Sequence, residues 1–137
     1  MKSLSFKKIQ DLVSSSISEL SEFCFLVGSA ATPRFRQDSD VDLAVYWKNR
    51  DISYENQLDL SQKLESLLGH QIDLISLNEI DVIYAIQVIE TGRLLINNNP
   101  TLLLEWKVKQ LSAYPDFKIS RSIIEKNILN RKKYVRV

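Results

Sequence analysis

The chain has a single cysteine, Cys24, and a single histidine, His70, so neither an internal disulfide nor a structural zinc site built on cysteine and histidine is available to it. Any metal must sit on carboxylates. Three glycines and three prolines among 137 residues exclude a collagen-like or linker-like chain, while 45% hydrophobic content is too high for a disordered one. One ordinary domain is the expectation. Uninterrupted apolar runs are only a handful of residues long, and the opening Met1-Lys2-Ser3-Leu4-Ser5 lacks a secretory hydrophobic region. A cytoplasmic location without membrane contact follows as an expectation.

The net charge of +1 is unevenly distributed. Residues 1–117 carry eleven basic and sixteen acidic side chains, net −5, whereas residues 118–137 carry seven basic and one acidic, net +6. A basic tail of this kind suits contact with nucleic acid or an acidic partner surface, or is a solvated helix face, and composition alone does not choose. Direct nucleic-acid binding is not the expectation once the family resemblance below is weighed.

Periodicity orders the rest. Phe6, Ile9, Val13, Ile17 and Leu20 fall on one helical stripe. Phe23 to Val27 is a continuous apolar run that suits a strand buried on both faces, with Cys24 as inert packing, and Gly28-Ser29 closes it with a turn. After the irregular stretch 30–39, Val41, Leu43, Val45 and Trp47 alternate as a second strand. A helix from Ser53 to Leu68, with Tyr54, Leu58, Leu60, Leu64, Leu67 and Leu68 as its apolar positions, stops at Gly69. A strand over 71–77 follows. Asn78 can cap a third helix with Val82, Ile83, Ile86 and Ile89 as its apolar face, ended by Thr91-Gly92 before a short strand at 93–96. Asn97-Asn98-Asn99-Pro100 then breaks the chain and opens a helical C-terminal segment, with Pro100 in its first turn.

The chemistry lies in Gly28-Ser29, ten residues, then Asp40-Val41-Asp42. Residues two apart on a strand share a face, so Asp40 and Asp42 can converge on one cation or a pair of cations. Mg²⁺ is the expected metal, because it takes hard oxygen ligands from one or two carboxylates together with substrate phosphates. Gly28 lets the backbone approach a phosphate, and Ser29 offers an N–H and a hydroxyl. Asp73 interrupts the apolar strand Gln71-Ile72-Asp73-Leu74-Ile75, where an ionised carboxylate is costly unless paired or metal-bound. If that strand neighbours the second, three carboxylates meet. Two would hold metal and the third could accept a proton from an attacking hydroxyl, as in two-metal phosphoryl or nucleotidyl transfer.

This pattern resembles the signature of the DNA-polymerase-beta-like nucleotidyltransferases over roughly residues 3–96, with Asp73 in the place of the third acid. Within them the chain is similar to the minimal nucleotidyltransferases (MNT) that serve as antitoxins in HEPN/MNT toxin–antitoxin pairs. The resemblance implies an α/β (α+β) fold: a palm-like mixed sheet of about four strands flanked by helices, residues 1–97, with a C-terminal segment, 98–137, packed on it in a single domain. It implies transfer of AMP from ATP to a tyrosine hydroxyl of the cognate HEPN ribonuclease. Asp40, Asp42 and Asp73 would then be the catalytic and Mg²⁺-binding residues, and Gly28 and Ser29 would hold the triphosphate. Family members often have an arginine and a second glycine after the Gly-Ser pair, where this chain has Ala30-Ala31-Thr32-Pro33; Arg34 and Arg36 could supply that charge. Two other readings stay open: an antitoxin that neutralises by contact alone, with Tyr54, Tyr84, Trp106 and Tyr114 as core or interface aromatics, and a nucleotidyltransferase acting on a small molecule or an RNA end.

Overall fold

The computed structural model describes residues 5–28 and 40–113. Along these, α1 (Phe6–Ile17) and a 3-10 turn (Ser18–Leu20) lead into β1 (Ser21–Val27), followed by β2 (Val41–Trp47), α2 (Tyr54–Leu68), β3 (Ile72–Ser76), α3 (Val82–Thr91), β4 (Arg93–Asn97) and α4 (Pro100–Ser112). Four strands make one mixed sheet in the order β3-β2-β1-β4. β1 is antiparallel to both β2 and β4, and β2 runs parallel to β3, the crossover being made by α2.

The central position of β1 explains its unbroken apolar text. Alternate residues feed two cores on opposite faces of the sheet. Cys24 and Leu26 join Val41, Leu43, Val45 and Trp47 beneath α1 and α2, whereas Phe23, Phe25, Val27 and Ala44 pack with Trp106 and Ala85 beneath α3 and α4. Phe23 stacks on Tyr46 with ring centroids 4.9 Å apart and lies 5.4 Å from Trp106. Cys24 is fully buried, and burial pushes its thiol well above the ordinary range, so it is packing material as the sequence suggests.

Local signals set the helix ends. The Ser5 and Ser53 hydroxyls accept from the backbone N–H groups of Lys8 and Asn56 to start α1 and α2. Gly69 ends α2 in the left-handed conformation at φ +73°. Asn99 caps α4, with Pro100 in its first turn.

Several expectations need correction. Asp81, not Asn78, caps α3, its carboxylate accepting from Ile83 and Tyr84. Asn78 instead receives the Trp47 N–H at 2.8 Å and donates to the Trp47 carbonyl at 3.0 Å, so it pins the ends of β2 and β3 together. α3 buries Ala85 and Val88 rather than the face that Ile83 suggests, because its sequence is apolar nearly all round and periodicity cannot choose a face. α2 buries Ser61, Leu64 and Leu68, with Ser61 donating to the Ile72 carbonyl, and leaves Tyr54, Leu58 and Leu67 exposed. Leu20 sits outside α1 in the 3-10 turn and is exposed. Of the four aromatics considered for core or interface, Trp106 is buried, Tyr84 half-buried and Tyr54 exposed, while Tyr114 lies outside the described residues.

Candidate functional site

Strand register brings the acids together. β1 and β2 pair with Val27 opposite Asp42, so Gly28 leaves the sheet beside that carboxylate. β2 and β3 pair in parallel with Asp42 opposite Asp73, and the Val41 N–H donates to the Gln71 carbonyl at 2.8 Å just ahead of this pair. Asp42 and Asp73 therefore point to the same face of the sheet, the one covered by α3 and α4. Asp40 precedes β2 by one residue, exposed, with the parity of Asp42.

The electrostatics follow from this placement. Partial burial holds the Asp42 carboxyl above the ordinary aspartate range, and the neighbouring Asp73 raises it further by its charge and by a shared side-chain hydrogen bond; the Asp40 charge adds a smaller push in the same direction. Two carboxylates sharing a hydrogen bond need a proton or a cation between them. The donor set is all hard oxygen, as Mg²⁺ requires, and a cation would relieve the repulsion at Asp42, so these residues fit the ion. Asp42 and Asp73 are the two brought together: among the described residues no three acidic, histidine or cysteine side chains are gathered so that they could hold a metal ion, and Asp40 stands apart from the pair. A carboxylate set that leaves coordination positions for substrate phosphates and water is the usual Mg²⁺ arrangement.

Gly28 has a structural reason to be glycine. Its φ is +72°, and a Cβ there would lie 2.7 Å from Oδ2 of Asp42, closer than real contacts allow. The backbone thus passes directly against a site carboxylate. Ser29, Arg34 and Arg36 lie outside the described residues, as does the basic segment 118–137.

One neighbour escaped the sequence reading. Tyr84 on α3 is half-buried, and desolvation followed by the Asp42 charge holds its phenol proton on above the usual tyrosine range. No spacing rule flags it, because only the passage of α3 across the acid face of the sheet brings it near. A recess of about 500 Å³ bordered by Leu20, Trp47, Ile52 and Leu60 lies at the opposite end of β2 and plays no part in this constellation.

The polymerase beta nucleotidyltransferase family model matches residues 7–101, which contain every described site residue. The chain belongs to this nucleotidyltransferase family. Solved structures extend the similarity. One is an MntA–HepT toxin–antitoxin complex carrying a tyrosine-to-alanine substitution, 27% identical at a TM-score of 0.66, the alignment covering 93% of this chain and 99% of the other. Another is the tri-AMPylated Shewanella oneidensis HEPN toxin in complex with MNT antitoxin, 25% identical at a TM-score of 0.61, covering 90% and 94%. A third, a toxin–antitoxin structure with AMP-PNP, is 22% identical at a TM-score of 0.70, covering 88% and 98%. Among curated proteins, none matches the chain. The mixed four-stranded sheet flanked by helices is the nucleotidyltransferase fold. Among the described residues no helix is long and apolar enough to cross a membrane.

Proposed function

We propose that this nucleotidyltransferase is the MNT antitoxin of a HEPN/MNT pair and that it neutralises its cognate toxin by transferring AMP from ATP to a tyrosine hydroxyl of that toxin. The observation that carries the reading is the meeting of Asp42 and Asp73 across the parallel β2–β3 pair, beside the left-handed Gly28. The relatives support the partner and the chemistry: one complex holds an AMPylated HEPN toxin bound to an MNT antitoxin, and another holds an ATP analogue.

Asp40, Asp42 and Asp73 would hold Mg²⁺ together with the triphosphate. The ion, when bound, neutralises phosphate charge and lowers the barrier to attack at the α-phosphorus. Gly28 keeps the chain close to Asp42 without a side chain in the way, which leaves the turn free to meet phosphate oxygens. Ser29 donates to those oxygens in this reading, and Arg34 and Arg36 balance their charge. The acceptor oxygen forms its bond to the α-phosphorus as the bond to the bridging oxygen of the β-phosphate breaks. Pyrophosphate leaves with that electron pair. The acceptor proton passes to a carboxylate, and Asp73 suits this role because it is exposed on the side of Asp42 away from Gly28.

The test compares the parent with the Asp40→Asn/Asp42→Asn double variant, scoring transfer of labelled AMP to the toxin and rescue of toxin-inhibited growth separately. Loss of both in the variant is the expected result. Rescue that persists without transfer would instead make the protein an antitoxin that acts by contact, and labelling of an RNA end or small molecule in place of the toxin would overturn the acceptor.

A further inference from the structure

α3 carries Tyr84 onto the face of the sheet that holds the acids. Its side chain packs against the core cluster that contains Val27 and Ala44, as does that of Ile75. Val27 stands opposite Asp42 in the sheet, while Ala44 and Ile75 follow Asp42 and Asp73 by two residues, which makes them the next side chains along the same face. The tyrosine therefore lies on the face of the sheet that carries Asp42 and Asp73, half-buried, with part of its surface open to solvent. Its hydroxyl is within electrostatic reach of Asp42.

Topology also fixes the side of the site on which it stands. α3 starts after β3, an edge strand, and its far end reaches β1, where Gly92 abuts Phe25 and Val27. Tyr84, in the first turn of α3, is thus on the β3 side, and the Gly28 turn is across Asp42 on the β1 side. In-line displacement places the leaving pyrophosphate and the attacking oxygen on opposite sides of the phosphorus. With the triphosphate at the Gly28 turn, the attacking hydroxyl approaches from the β3–α3 side.

Resting on the functional reading above, we infer that Tyr84 is an acceptor-binding residue that selects an aromatic hydroxyl: its ring packs against the incoming tyrosine of the partner protein and its own hydroxyl steadies that side chain beside Asp73. A half-exposed aromatic surface next to the proton acceptor favours a flat phenol over the aliphatic hydroxyl of serine or threonine, because ring–ring contact is available only to the former. In this reading the nucleotide lies on the other side of Asp42, toward Gly28.

The experiment measures initial rates of AMP transfer by the full chain and its Tyr84→Ala and Tyr84→Phe variants, varying toxin at saturating ATP and then ATP at saturating toxin. Tyr84→Ala is expected to raise KM for the toxin about tenfold, the factor that loss of one aromatic pair supports, with KM for ATP within about twofold of the parent. Tyr84→Phe keeps the ring and recovers most of the toxin affinity. Should Tyr84→Ala fail to fold, Tyr84→Leu carries the same expectation. A rise in KM for ATP alone, unchanged constants in folded variants, or label found on Tyr84 of the parent itself would each overturn the inference. A parent that labels no toxin overturns the functional reading, and this inference with it.

Discussion

Replacing Gly28 by alanine, with Gly69→Ala as its matched control, isolates the contact on which the site geometry depends. Both glycines have the same left-handed backbone, φ +72° and +73°, so both variants bear the same conformational cost of about 1–2 kcal/mol for an L side chain in that region. They differ in surroundings. A Cβ at position 69 meets nothing within 4 Å, whereas at position 28 it would lie 2.7 Å from Oδ2 of Asp42, and ordinary contact begins at 3.4 Å. The Asp42 carboxylate must then recede by about 0.7 Å, and a displacement approaching 1 Å at a reacting centre costs up to about 100-fold in rate. Urea unfolding should give similar stability losses of about 1–2 kcal/mol for the two variants. Labelled-AMP transfer to the toxin should fall roughly 30- to 100-fold for Gly28→Ala alone. A Gly28→Ala protein working within threefold of the parent, or a Gly69→Ala protein equally impaired, would refute the claim that close packing of the turn against Asp42 sets the activity.

Other outcomes follow from the same structure. The raised Asp42 carboxyl means that the folded state binds this proton more tightly than the unfolded chain does; its contribution favours folding at low pH and is lost as pH rises from the ordinary aspartate value of 3.8 through the raised folded value. Asp42→Asn should therefore melt at a higher temperature than the parent at pH 7 without divalent ions while transferring no AMP, and a lower melting temperature would contradict the electrostatic account. Adding Mg²⁺ should raise the melting temperature of the parent at pH 7 and chelator should reverse it, with little effect on Asp42→Asn; equal shifts in both proteins would place the ion elsewhere. Phe23→Ala removes a fully buried ring that stacks on Tyr46 and touches Trp106, and should cost about 3–5 kcal/mol in denaturant unfolding, against under 1 kcal/mol expected for the exposed Tyr54→Ala.

Sequence alone was enough for the described elements and for placing Asp40 and Asp42 at the start of β2. Short-range rules act within a few residues, which is why the stop at Gly69, the Asn99-Pro100 helix start and the alternation of Val41 to Trp47 are all readable from the text. Asp40 stands two residues before Asp42, just ahead of the strand that Asp42 lies on, so a shared face is what the period of two leads one to expect. Where apolar residues ran all round a helix, as in α3, the pattern could not name the buried face, and in α2 the burial of Ser61 was invisible because its hydrogen-bond partner, Ile72, comes from the following strand. The rest of the site depended on pairing between distant segments. Asp73 joins Asp42 only because β3 lies parallel to β2 in this register; a shift by one residue would turn its carboxylate to the opposite face. Tyr84 reaches the acids only because α3 crosses that face. Strand order and helix placement are set by burying both sides of β1 at once, a property of the whole packed core that no local stretch of the chain encodes.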